Sequence, residues 1–126
     1  MKTKFYVCSH CGNLIELVND AGVPVFCCGQ KMDALNPNTV EASVEKHLPV
    51  VSVEGDVLHV NVGAADHPMI PEHFIGWVYV QTANGGQRKS LNPGEAPHIT
   101  FHLGGEKPIA VYAYCNLHGL WKTELN

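Results

Sequence analysis

A chain of 126 residues that is 45% hydrophobic and 16% charged is long enough for one main core with a small appendage, and too apolar to remain disordered. Its net charge of −4, with no basic stretch to neutralise phosphates, argues against nucleic acid as a partner. No run of about eighteen apolar residues occurs, which argues against a membrane span, and the outliers that remain are five cysteines and eight histidines.

Taken in chain order, the opening from Met1 to Cys8 has no apolar run of secretory length, which predicts a soluble, cytoplasmic protein. In that reducing compartment an odd number of cysteines points to metal binding or catalysis in preference to disulfides. The first chemical motif is Cys8-Ser9-His10-Cys11-Gly12, followed by Phe26-Cys27-Cys28-Gly29. Two cysteines separated by two residues can place both thiolates on one cation, with backbone N–H groups of the tight turn facing the sulfurs. The adjacent pair could close a disulfide only under severe strain, yet both thiols can ligate. Four thiolates around one tetrahedral ion is therefore the expected arrangement, and softness and geometry allow iron or zinc. His10 lies inside the motif, but four sulfurs already complete a tetrahedron, so it is expected to be solvated.

A turn-forming cluster at Asn36-Pro37-Asn38 marks a domain boundary, dividing a Cys-rich domain, residues 1–36, from a strand-rich domain, residues 37–126. Beyond it, β-branched and aromatic segments recur between turn signals: Val50 to Val53, Val57 to Val62, Ile75 to Thr82, Gln87 to Leu91, Ile99 to Leu103 and Ile109 to Tyr114. Leu58, Val60 and Val62 alternate with Val57, His59 and Asn61, the period of a half-buried strand, and no helical stripe of three turns is present. The expected fold is mainly β, an antiparallel sandwich of about seven strands.

A second constellation is spread along this domain in Glu45-Lys46-His47, Asp66-His67-Pro68-Met69, Glu72-His73-Phe74 and Cys115-Asn116-Leu117-His118-Gly119. His47 is placed where a strand begins, His67 and His73 flank the loop between two strands, and Cys115 and His118 flank a later turn. All five could gather at the loops of a sandwich. Imidazoles suit iron, copper, nickel or zinc, and one thiolate among several nitrogens suits a redox metal better than a closed zinc site. His59, His98 and His102 are given no role, and Trp77 and Trp121 are expected to anchor the core.

The Cys8-x-x-Cys11…Cys27-Cys28 series resembles desulforedoxin, and the series from Glu45 through His118 resembles desulfoferrodoxin, the two-iron superoxide reductases, over essentially the whole chain. The resemblance implies a small rubredoxin/desulforedoxin-like metal module followed by an immunoglobulin-like β-sandwich. It implies a ferrous centre with His47, His67, His73 and His118 in a plane, Cys115 along the axis and one coordination position open opposite the sulfur. It implies reduction of superoxide to hydrogen peroxide, a rubredoxin-like electron donor and a homodimer. Lys46, beside His47, is then the candidate for attracting the anion and delivering protons, and Glu45 resembles the carboxylate that caps the open position in the resting state. Two other classes compete with this expectation: an electron carrier with structural histidines, and a zinc-stabilised binding module without redox chemistry.

Overall fold

The computed structural model describes residues 4–125, and its contacts divide the chain into two compact units, Met1–Asn36 and Pro37–Asn126. The first unit contains five short strands, β1 (Phe5–Val7), β2 (Leu14–Glu16), β3 (Phe26–Cys27), β4 (Gln30–Lys31) and β5 (Asp33–Ala34). They form a three-stranded sheet in the order β2-β1-β5 and a separate β3-β4 hairpin. Phe5, Cys8 and Met32 are its buried apolar residues among those described. So small an apolar core contributes little stability by itself.

The second unit begins with a single helical turn, α1 (Val44–His47). Seven strands follow: β6 (Pro49–Glu54), β7 (Val57–Val62), β8 (Ile75–Thr82), β9 (Gly85–Ser90), β10 (His98–His102), β11 (Pro108–Cys115) and β12 (Gly119–Glu124). One sheet runs β10-β7-β6 and the other β12-β11-β8-β9, with every neighbouring pair antiparallel. The chain changes sheet after β7, after β9 and after β10, the Greek-key connectivity of an immunoglobulin-like sandwich. Between the sheets lie Leu58, Val60 and Val62 from β7, Ile75, Val78 and Val80 from β8, Phe101 from β10, and Val111, Ala113 and Cys115 from β11. The period-two alternation expected for β7 is thus present, with its other face polar or half-buried.

Two irregularities in this regular frame position the chemistry. Tyr114 pairs with Trp77 while Cys115 pairs with Ile75, so Gly76 is skipped and β8 carries a bulge next to Cys115. A bulge bends its strand and re-aims the side chains around it, and here Ile75 and Val78, three residues apart, both face the core. The turn between β11 and β12 spans only residues 116–118, closed by the Cys115–Gly119 pair with Gly119 at a φ of 76°. A three-residue hairpin of this kind needs a left-handed residue at that place. Its consequence is that Cys115 and His118 rise from the same tight turn.

His47 was expected at the start of a strand. It instead ends α1, because the Leu48 N–H donates to the Val44 carbonyl and the extended chain begins only with Leu48. Among the described residues no helix is long and apolar enough to cross a membrane.

Candidate metal centres

In the first unit, Cys8, Cys11, Cys27 and Cys28 bring their sulfurs within 4.8 Å of one another. The turn after Cys8 is closed by Gly12 N–H donating to the Cys8 carbonyl at 2.9 Å and Cys8 N–H donating to the Asn13 carbonyl at 2.8 Å. That closure points the Cys11 N–H at the Cys8 sulfur, 3.5 Å away, and the Asn13 N–H at the Cys11 sulfur, also at 3.5 Å. The adjacency of Cys27 and Cys28 has a backbone reason. Cys28 and Gly29 both have positive φ, 55° and 72°, as the two central residues of the tightest hairpin turn must, and this swings the Cys28 thiol round beside that of Cys27.

Sulfur separations are 3.6 Å for Cys11–Cys27 and 4.0 Å for Cys27–Cys28. A tetrahedral ion bonded at about 2.3 Å holds its sulfurs about 3.8 Å apart. The Cys8 thiol is brought down to about 6, chiefly by the Cys11 N–H. Hydrogen bonding to the Cys11 sulfur pushes the Cys27 thiol up and the Cys28 thiol up to about 12. The Cys8 thiolate therefore forms readily, and Cys27 and Cys28 resist until a cation balances them. The donor set fits a tetrahedral thiolate metal. His10 is exposed and is not among these donors.

In the second unit, the donor atoms of His47, His67, His73 and Cys115 also lie within 4.8 Å of one another. His118 joins them through Nδ1, which stands 3.1 Å from His47 Nε2 and 3.8 Å from the Cys115 sulfur. The four rings close a cycle. Centroid separations run 4.6 Å from His47 to His67, 4.5 Å to His73, 5.1 Å to His118 and 4.9 Å back to His47, each pair near perpendicular. His47 and His73, on a diagonal, are farther apart at 6.1 Å and tilted by only 32°.

Hydrogen bonds around the cycle fix which nitrogens are bare. His47 Nδ1 donates to the Ser43 carbonyl at 2.6 Å, and His67 Nδ1 donates to the Pro68 carbonyl at 2.7 Å. A carbonyl only accepts, so both protons sit on Nδ1 and both Nε2 atoms expose lone pairs. Those two lone pairs face each other at 3.1 Å, where no hydrogen bond can form between neutral rings. His73 Nε2 is buried with no partner at all. Buried nitrogens left in this state require an explanation, and a cation at the centre is the simplest: imidazoles bound at about 2.1 Å and at right angles place neighbouring nitrogens about 3 Å apart. Backbone carbonyls on the far ring nitrogens are the supporting contacts that metal-bound imidazoles need.

Burial differs around the cluster. Cys115 is completely buried and belongs to the sandwich core, whereas His73 and His118 are half-buried and Glu45 and Lys46 are exposed. Burial pushes the Cys115 thiol up, against the N–H groups of Leu117 and His118 that point at the sulfur. It holds the His67 imidazole down at about 4 and lowers His47 and His73, and the Lys46 ammonium adds to the effect at both of the latter. The rings of His47, His67 and His73 are thus kept neutral in advance, as metal binding needs. Lys46 acts electrostatically on the cluster, and Glu45 carries its carboxylate in the same exposed turn.

The loop of residues 63–67 holds that turn in place. Ala65 N–H donates to the Glu45 carbonyl at 2.9 Å, and a Cβ on Gly63 would stand 2.7 Å from the same oxygen and 2.9 Å from that of Leu48. Only glycine allows α1 so close. Ser43, Pro68 and Gly63 were not singled out in the sequence, since carbonyls occur on every residue and close approaches leave no local signal. Trp121 is buried as expected, yet it also lies against the His47 ring at 5.0 Å and donates from its indole N–H to the His118 carbonyl at 3.2 Å. Trp77 is only half-buried and stacks on Tyr114. His59 bonds Thr100, and His98 sits 2.9 Å from Asp66, so the carboxylate next to His67 has a partner of its own.

Metal-free protein should be acid-labile. The folded His67 binds its proton only near pH 4, against about 6.5 in an unfolded chain. Between those values the unfolded state holds more protons, so stability is full above about pH 6.5 and falls as pH drops toward 4. Urea midpoints of the chelator-treated protein, measured from pH 7 to 4, should decline through this window, and metal-loaded protein should hold its midpoint further into acid.

The desulfoferrodoxin family profile matches residues 39–124. A desulfoferrodoxin of Syntrophotalea carbinolica is 42% identical over 123 residues, covering 98% of this chain and 97% of that protein. A superoxide reductase of Pyrococcus horikoshii is 35% identical over 99 residues, covering 64% of this chain and 86% of that one. Among solved structures, the superoxide reductase from Treponema pallidum superposes with a TM-score of 0.82 at 34% identity, covering 98% of both chains. With its fold, its two donor clusters and its sequence all in agreement, the chain belongs to the desulfoferrodoxin family.

Proposed function

We propose that the protein is a superoxide reductase whose reaction takes place at the cluster of His47, His67, His73, His118 and Cys115. The observation that carries this reading is the donor set: four imidazole nitrogens in a cycle, two of them facing each other as bare lone pairs, with one buried thiol beside them. Relatives that bear the name superoxide reductase, in sequence and in structure, support it. Iron bound there supplies the one-electron couple. The reaction balances as superoxide plus one electron plus two protons giving hydrogen peroxide, so each turnover draws one electron from outside the chain. By family likeness the donor is a rubredoxin-like protein.

The remaining parts follow from what the side chains can do. Cys115, as a thiolate, would donate electron density to a metal held there, and its burial reserves the sulfur for that task. Lys46 offers an exposed positive charge beside His47, which draws in an anion that the net charge of −4 would repel and holds a proton source close by. By family likeness, Glu45 would supply the carboxylate that caps the bound metal in the resting state. The four-cysteine site of the first unit takes iron or zinc and either relays electrons or stabilises that unit. We place the working protein in the cytoplasm as a homodimer.

Peroxide yield tests this reading. With a supplied reductant and excess protein, one peroxide should form per superoxide consumed. Half that yield, with release of oxygen, is what dismutation gives, and it would reject the proposal.

A further inference from the structure

Asn116, between Cys115 and His118, is exposed yet fully engaged. Its Oδ1 accepts the N–H of Phe74 at 2.9 Å, its Nδ2 donates to the Glu72 carbonyl at 3.0 Å, and its backbone N–H donates to the Phe74 carbonyl at 3.2 Å. Glu72 and Phe74 are the two chain neighbours of His73. One carboxamide therefore grips the backbone on both sides of His73 and ties it to the residue that follows Cys115.

This matters because His73 is held differently from His47 and His67. His47 and His67 are oriented by carbonyls on Nδ1. Among the described residues the His73 ring has no such carbonyl; besides the Asn116 contacts, its local backbone is pinned by the reciprocal bridge to Ile70, at 3.0 and 3.1 Å. Its orientation is thus set by where its backbone lies. We propose that Asn116 is a positioning residue that locks the backbone around His73 to the Cys115 turn, keeping one imidazole and the thiol in the register that a single metal requires. Asparagine carries its acceptor and its donor on separate atoms of one short stem, which a serine or threonine hydroxyl, with both functions on one oxygen, does not. The proposal rests on the reading of this cluster as a metal centre, and not on the reaction assigned to it.

Asn38 provides a built-in control. Its carboxamide makes the same pair of bonds, accepting the Lys122 N–H at 2.8 Å and donating to the Lys122 carbonyl at 3.0 Å, but beside no ligand. Its φ of 62° makes glycine the replacement that adds no strain.

The test is the rate at which cobalt(II) leaves the centre of the full chain under chelator competition, followed through the cobalt–thiolate absorption that Cys115→Ser removes. Asn116→Ala should release cobalt roughly 10–100-fold faster than wild type, the cost typical of losing a supporting contact at a metal site. Asn116→Asp, which keeps the acceptor for Phe74 and loses the donor to Glu72, should fall between them and provides the reading if the alanine variant does not fold. Asn38→Gly should lower the thermal midpoint of the metal-free protein by a similar amount while leaving cobalt release within about threefold of wild type. Wild-type release rates in both Asn116 variants, or equal acceleration in Asn38→Gly, would overturn the proposal. A wild-type protein without the Cys115-dependent absorption would overturn the metal-centre reading itself, and the clamp with it.

Discussion

Cys115→Ser should reduce superoxide consumption by more than the roughly 10–100-fold that loss of a supporting contact costs a metal site, because it removes a direct donor. The substitution keeps the shape of the side chain and changes what it offers the metal. A serine hydroxyl stays protonated at neutral pH and is a poor soft donor, so the electron density that a thiolate contributes is lost. The four imidazoles remain, so metal should be retained while the thiolate-to-metal absorption disappears. The structural cost is bounded: the oxygen replaces a fully buried sulfur, but the N–H groups of Leu117 and His118 already point at that place. Burying a hydroxyl costs about 1–3 kcal/mol when it is unsatisfied, so partners of this kind keep the variant folded. The visible spectrum of the metal-loaded variant and superoxide decay after a pulse check both halves of the expectation. Wild-type decay with the absorption gone would separate the thiolate from the reaction.

Lys46→Glu should slow the encounter with superoxide by at least about tenfold at low salt, since steering by local charge changes association rates by about 10–10³. The substrate is a small anion, and the protein carries a net charge of −4, so replacing the positive group beside His47 with a negative one adds to the repulsion. Lys46 is exposed, which screens its field, and the difference from wild type should shrink as ionic strength rises and the Debye length falls to about 10 Å near 0.1 M. Lys46→Arg keeps the charge and should restore most of the rate. Peroxide formed per superoxide should stay unchanged in all three proteins. A rate in Lys46→Glu equal to that of wild type at low salt would show that Lys46 plays no part in drawing in the anion.

The strands were legible where one face packs and the other does not. β7 shows it plainly, with Leu58, Val60 and Val62 buried against half-buried or exposed alternates. The sequence pattern does not mark β12 as a strand. It lies at a sheet edge, and Leu120 and Trp121 are both buried in succession, so its burial does not alternate. The single turn α1 could not be read because four residues show no helical period, and this is why His47 was assigned to the start of a strand.

At the centre, the donor-bearing residues were visible because cysteines and histidines in short motifs are rare, and the structure brings their donor atoms together. Their orientation was not visible. It depends on the carbonyls of Ser43 and Pro68, which any residue could supply, and on the clearance at Gly63, which is a fact of three dimensions. Likewise, the use of Nδ1 by His118, in contrast to Nε2 by its partners, follows from its place in the three-residue turn with Cys115.

Iron-edge X-ray absorption tests the convergence of four imidazoles and one thiolate most directly, applied to the iron-loaded Cys11→Ser, Cys28→Ser variant, in which the four-cysteine site is disabled. A shell of four nitrogens at about 2.1 Å should appear together with a single sulfur that vanishes when Cys115→Ser is added. A shell without sulfur, or one that His47→Ala and His67→Ala leave unaltered, would contradict it.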